Sequence, residues 1–182
     1  MTETLERTDV DEAAPFRIRE ATVDDAEALL EYLRVILIDP MSSIADLDEM
    51  MLDLHRQREH LRRTQGKPDA LALIAEHDDE IIGFLTMEPG RRRKIGHTVE
   101  LGMSVREDWR GKGVGRELLE KAEEWARSVE TIEKICLNVF SDNIAALRLY
   151  QKAGFVIEGR LVDQIRIGAK YQDLFLMGKR LV

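Results

Sequence analysis

At 182 residues the chain has the size of one domain and enough sequence to bury a sizeable core. The formal net charge is −8, of which the first fifteen residues carry half, since Glu3, Glu6, Asp9, Asp11 and Glu12 stand there against Arg7 alone; an acidic chain argues against a nucleic-acid surface. A single cysteine, Cys136, excludes an intrachain disulfide and a cysteine-rich metal site, no apolar run approaches the ~20 residues that cross a bilayer, and the N-terminus lacks the basic-then-apolar pattern of a secretory signal, so no membrane partner is expected and the compartment read from the sequence is the cytoplasm.

In chain order, residues 1–15 are polar, aperiodic and end in Ala-Ala-Pro, which reads as a disordered acidic tail, and residues 16–182 read as a single domain. Phe16 to Glu20 alternates as a strand should. Thr22 and Asp25 have the spacing of a capping box, and Ala26, Leu29, Leu30, Leu33, Ile36 and Leu37 follow at helical spacing until Pro40. Ser43 is read as opening a second helix, with Ile44, Leu47, Met50, Met51, Leu54, Arg58 and Leu61 in period until Gly66; its methionines fit a core face. Leu71 to Glu76 and Ile81 to Glu88 are apolar strands joined at a hairpin by His77-Asp78-Asp79-Glu80.

The basic run Arg91-Arg92-Arg93-Lys94 reads first as a solvated connection and, more sharply, as a landing site for an acidic acceptor or for phosphates. Thr98 to Val105 is the next strand. A helix begins at Gly113 with Leu118, Leu119, Ala122, Trp125 and Ala126 on one stripe, and Ile135 to Val139 is a short buried strand. Asn143 opens another helix that Gly154 ends as a left-handed cap. Phe155 to Ile157 and Leu174 to Met177 are the last strands, separated by a polar loop containing Gly168. Strands and helices alternating in this order predict an α/β fold without repeat or second domain.

The stretch Arg110-Gly111-Lys112-Gly113-Val114-Gly115 lies between a strand and a helix and combines backbone donors with two cations, which is how a chain holds a pyrophosphate. A Walker loop would need Ser or Thr after Gly111-Lys112, and Gly113 stands there; a dinucleotide fingerprint would need a sixth-position glycine, and Arg116 stands there. Arg-x-x-Gly-x-Gly directly after a strand resembles the acyl-CoA pyrophosphate loop of the GNAT superfamily of N-acetyltransferases. Asn143 to Phe155, about thirty residues downstream, resembles the second half of the same family's cofactor site. The likeness covers roughly Phe16 to Val182.

That resemblance implies a GNAT fold with a mixed, largely antiparallel sheet, whose central strands are splayed by a bulge in the Val99 to Val105 strand so that the cofactor arm pairs there like an extra strand. It implies acetyl-CoA as cosubstrate, no metal, and direct attack by a primary amine. Met103, Ser104 and Val105 would meet the pantetheine arm, Met103 N–H doubling as oxyanion donor. Arg110, Gly111, Lys112, Gly113, Val114, Gly115 and Arg116 would hold the pyrophosphate; Asn143 and Ala146 would serve the cofactor arm, and Tyr150 would lie beside the sulfur and protonate the thiolate.

An amine with an unperturbed pKa near 10.4 is mostly protonated at neutral pH, so a base is required. Glu100 is the candidate; on an alternating strand it shares a face with Thr98, Gly102 and Ser104, opposite Val99, Leu101, Met103 and Val105. His97 is the second candidate, with a hairpin turn as its plain alternative. Asn138 interrupts an apolar run and reads as reaching the acetyl or acceptor side. Cys136 reads as a buried small hydrophobe. His55 and His60, five apart, do not form an i, i+4 ligand pair. A non-catalytic acyl-CoA sensor would have lost base and acid, yet Glu100 and Tyr150 are both present. Protein N-termini and polyamines compete as acceptors with a small amino-acid-like molecule, which the mix of Arg58, Arg62, Arg63 and the 91–94 run favours; a polyamine site would need Glu49, Asp53, Glu76 and Glu100 brought together. A homodimer is left open.

Overall fold

The computed structural model describes residues 15–39 and 53–181. Its elements are β1 (Arg17–Glu20), α1 (Ala26–Ile36), α2 (Leu54–Gln65), β2 (Leu71–His77), β3 (Glu80–Pro89), β4 (Thr98–Val105), α3 (Val114–Ser128), β5 (Lys134–Phe140), α4 (Ile144–Lys152), β6 (Val156–Ile167) and β7 (Lys170–Arg180). The strands form one sheet in the order β1-β2-β3-β4-β5-β7-β6, in which β4 and β5 are the single parallel pair. That pair needs a crossover, which α3 supplies.

Alternation along the strands divides the core between the two faces. On one face Val114, Leu118, Leu119, Ala122 and Ala126 of α3 and Leu147 and Tyr150 of α4 pack on Leu85, Leu101, Ile135, Leu137 and Met177. On the other, Leu29, Leu33 and Ile36 of α1 and Leu61 of α2 pack on Ala72, Ile74 and Ile81. Leu118 is wholly buried, so Leu118→Ala would remove about 2–5 kcal/mol from the α3 layer.

Local signals explain the boundaries. The capping box at the head of α1 is formed: Thr22 N–H donates to Asp25 Oδ2 at 2.6 Å, within a 3-10 turn Val23–Asp25. Arg19 donates two hydrogen bonds to the same carboxylate, which, with the Thr22 bonds, holds Asp25 down to about 2. Asp78 and Asp79 both take left-handed backbone (φ 47° and 65°), the geometry of a two-residue hairpin matched to strand twist.

Two expectations are revised, and two others fall outside the described residues. Helix α2 is described from its cap Asp53, whose side chain accepts from His55 N–H at 2.7 Å, while the expected start at Ser43 and the residues up to Met51 lie outside the described residues, as does the tail 1–14. The polar loop expected between Ile157 and Leu174 is strand: β6 and β7 continue through it and turn at Gly168 (φ 60°). Strand β6 is the sheet's edge, with Val156, Ile157 and Val162 exposed, and its register slips at Ile157/Gly159 and Leu161/Ile165, so it carries no clean apolar alternation. Finally, β4 runs against β3 from Val99 to Val105 without a register shift, so the strand has no bulge in that ladder.

Candidate active site

The centre of the sheet opens without a bulge. Parallel pairing of β4 with β5 covers Thr98 to Glu100 against Lys134 to Cys136 and stops, although both strands continue, β4 to Val105 on β3 and β5 to Phe140 on β7. Which peptide groups face the gap follows from the flanking bonds. Arg106 N–H donates to Ile82 O (2.9 Å) and Gly90 N–H to Thr98 O (3.0 Å), which makes 84/104, 86/102 and 88/100 the hydrogen-bonded pairs of the β3–β4 ladder. Leu101, Met103 and Val105 therefore turn their N–H and C=O groups toward β5. On the opposite wall, Ser141 N–H donates to Asp173 O (3.0 Å) and Leu181 N–H to Glu133 O (2.9 Å), so the odd residues of β5 are bonded to β7 and the peptide groups of Asn138 and Phe140 face β4.

Beneath the gap lies the start of α3. Gly111 (φ 76°) and Gly113 (φ 93°) both adopt left-handed backbone, and Gly113 is the helix's N-cap residue. A Cβ at Gly111 would meet nothing within 4 Å, and one at Gly113 only Arg116 Nη2 at 3.9 Å, so the loop presents bare backbone to open space. The first intrahelical bond is Glu117 N–H to Gly113 O, which leaves the preceding N–H groups for an anion. Gly115 wedges the turn under the gap: its notional Cβ is 3.6 Å from Met103 Cε, 3.7 Å from Val105 Cγ2 and 3.4 Å from Leu149 Cδ2 of α4. Lys112 rests its ammonium 4.7 Å from the centre of the Trp109 ring. Arg110 donates from Nε to Val105 O at 3.2 Å and lies 3.6 Å from Asp39, and Arg116 is exposed, 3.9 Å from Glu120. An open glycine cradle, free helix N–H groups and three cations fit a pyrophosphate.

Glu100 stands where the pairing ends. Its carboxylate is on the α1 face, as alternation predicted, and accepts a hydrogen bond from Asn138 Nδ2 at 3.1 Å across the opening. Asn138 thus joins the proposed base rather than standing apart. Asn143 uses its Oδ1 to cap α4, accepting from Ala146 N–H at 3.1 Å, which leaves its Nδ2 as the donor. Tyr150 is buried on the α3–α4 face, edge-on to Phe155 at 5.7 Å, and burial pushes its phenol up to about 12.

Other expected residues are placed differently. Ser104 gives its main chain to Phe84 and its hydroxyl to Tyr32 Oη, 3.0 Å away, so neither is turned to the gap. His97 lies exposed in the turn before β4, its carbonyl accepting from Glu133 and Lys134 N–H. Cys136 is half-buried beside Lys134 and Glu100 rather than sunk in the core, and desolvation pushes its thiol up. The carboxylates proposed for a polyamine do not meet: Glu76 is tied to Arg17 and Arg19 at the sheet's far edge, Asp53 caps α2, and Glu49 lies outside the described residues. Two residues were missed. Tyr32 falls on the buried stripe of α1, three after Leu29, and was legible as core but not as a partner of β4. Glu88 faces Glu100 across the β3–β4 ladder, and His60 Nδ1 lies 3.7 Å from it; no local pattern signals that meeting. No group of three metal-ligating side chains occurs among the described residues, and no helix there is long and apolar enough to cross a membrane.

A family model described as the acetyltransferase (GNAT) family matches residues 31–155. The chain belongs to this GNAT family. A GNAT acetyltransferase structure from Streptococcus pneumoniae superposes with a TM-score of 0.87 at 30% identity, covering 91% of this chain and 99% of that one. The L-amino acid N-acetyltransferase AaaT of Escherichia coli K12 is 31% identical over 121 residues, 64% of this chain and 72% of the relative. A spermidine N(1)-acetyltransferase of Vibrio cholerae is 34% identical over 80 residues, 44% of this chain and 46% of the relative. A structure of yncA from Salmonella typhimurium, with acetyl-CoA bound, shares the fold at a TM-score of 0.83 and 22% identity, over 92% of this chain and 95% of that one. This GNAT protein is accordingly an N-acetyltransferase, and its parted strands, glycine loop and capped α4 occur in the order the family's motifs predict.

Proposed function

We propose that this GNAT protein transfers an acetyl group from acetyl-CoA to the primary amine of a small amino-acid-like acceptor by direct attack. One observation carries the reading. The β4–β5 ladder ends at a carboxylate, and beyond that point the peptide groups of Met103 and the N–H of Val105 face β5 above a phosphate-type helix start, while the Val105 carbonyl accepts from Arg110 Nε.

Acetyl-CoA, when bound, supplies the acetyl thioester. The chain's own groups do the rest. Gly111 to Arg116 offer N–H donors and cations to the diphosphate, and the peptide groups of Met103 and Asn138, with the N–H of Val105, offer an arm between the strands the bonds that a neighbouring strand would otherwise make. Met103 N–H is aimed into the gap and can donate to developing negative charge. Glu100, oriented by Asn138, takes the amine proton, and Tyr150, whose phenol stays protonated at neutral pH, is the proton donor for the departing thiolate.

The amino-acid-like acceptor is supported by the L-amino acid N-acetyltransferase among the relatives and by the exposed basic run 91–94, which connects β3 to β4 and can take a carboxylate. Polyamine acetylation is the second reading, since a spermidine acetyltransferase also matches. The acidic composition and single cysteine suit work in the cytoplasm. A thiol-release assay across amino acids, polyamines, aminoglycosides and N-terminal peptides tests the choice: the best rate is expected with an amino acid. A clear preference for spermidine or peptides overturns the acceptor and leaves the transferase standing.

A further inference from the structure

Glu88 has no place in the chemistry derived so far, yet it lies beside the base. The alternating bonds make Glu88 and Glu100 a hydrogen-bonded cross-strand pair, with Cα atoms about 5.5 Å apart and side chains on the same face. Like charges directly opposite one another destabilise a sheet, so the pairing is unfavourable unless a cation joins it. His60 of α2 approaches Glu88 Oε1 at 3.7 Å, and Asn138 occupies one oxygen of Glu100. His60 is thus drawn to Glu88 and Asn138 to Glu100. The Glu88 side chain stays 45% exposed, and the opening between β4 and β5 begins at Glu100.

We propose that Glu88 is a specificity-determining residue of the acceptor site: with Glu100 it receives the acceptor amine as its ammonium ion, and so selects strongly basic aliphatic amines over weakly basic aromatic ones. The inference rests on Glu100 being the base. Before attack, an ammonium N–H bond breaks and a Glu100 O–H bond forms. The nitrogen keeps the electron pair for the acetyl carbon, while Glu88 stays ionised and holds a remaining N–H. A neutral aromatic amine has no charge for Glu88 to meet.

The test uses the full chain with acetyl-CoA and whichever of L-methionine and spermidine the wild type acetylates faster. Glu88→Gln should raise the acceptor KM about 10- to 100-fold, the weight of a hydrogen bond to a charged group, with kcat and the acetyl-CoA KM changed by less than about threefold. Glu88→Asp should recover part of the loss, and Glu88→Gln should narrow the wild type's preference over p-anisidine. An unchanged acceptor KM in Glu88→Gln, or a fall in kcat with KM intact, overturns the proposal. Glu100→Gln separates the two readings: full activity there refutes the base, whereas a kcat loss there with no effect at Glu88 refutes this inference alone. Acetylation of neither acceptor refutes both.

Discussion

Gly113 separates what the phosphate loop needs for folding from what it needs for binding. Its φ of 93° places it in the left-handed region, and the space around a notional Cβ is open to 3.9 Å. Alanine there meets no clash and suffers only the backbone penalty, about 1–2 kcal/mol, which in a chain of this size lowers Tm by roughly 2–8 °C. Aspartate tolerates left-handed backbone better than alanine and adds a carboxylate at a helix N-terminus, where negative charge is favourable, so Gly113→Asp should melt no lower than Gly113→Ala. Binding should rank the other way. A carboxylate about 5 Å from one phosphate charge, at an effective dielectric near 20, is repelled by about 3 kcal/mol, equivalent to a loss of more than about 100-fold in affinity. Calorimetric titration with CoA in EDTA, beside thermal melts of both variants, reads the two orders. CoA binding by Gly113→Asp within about threefold of wild type, or weaker binding by Gly113→Ala than by Gly113→Asp, would refute the placement of the diphosphate at this loop.

Glu100→Gln should lower turnover by roughly 10²- to 10⁴-fold with acetyl-CoA affinity nearly intact, and with partial recovery at high pH where free amine is abundant; equal activity across the pH range would move the base to water or His97. Tyr150→Phe should lower turnover without that recovery, read in the same pH series. The ring's burial also bears on alkaline stability. Its phenol, pushed up to about 12, favours the native state fully below the ordinary value near 10 and loses that contribution between about pH 10 and 12, so the alkaline fall in wild-type stability should be shallower in Tyr150→Phe. At the acid end, Asp25 is held down to about 2, so its share of stability is present above about pH 4 and disappears as the pH falls toward 2; denaturant melts of Asp25→Asn should show a smaller drop over that window. Tyr32→Phe removes the hydroxyl contact with Ser104 and should reduce stability by about 1 kcal/mol in the same melts, and no change would show that the contact contributes nothing.

Local chemistry in the sequence determined most of the elements and one half of the site. The capping box at Thr22 and Asp25, the strand Thr98 to Val105 with Glu100 on its polar face, the glycines before α3 and the Asn143 cap all express short-range rules, in which a residue's neighbours along the chain fix its backbone. The continuation of β6 beyond Ile157 escaped because an edge strand exposed on both sides and twice shifted in register has no burial pattern to print into its residues. The tertiary structure alone decided the contacts made across elements. It ended the β4–β5 ladder at Glu100 without a bulge, turned Met103 and Val105 rather than Ser104 to the gap, brought Asn138 to Glu100, and set Glu88 and His60 beside them. Such meetings depend on strand register and on how α2 packs over the sheet. Both are set by the sum of core contacts far along the chain, so no local pattern records them.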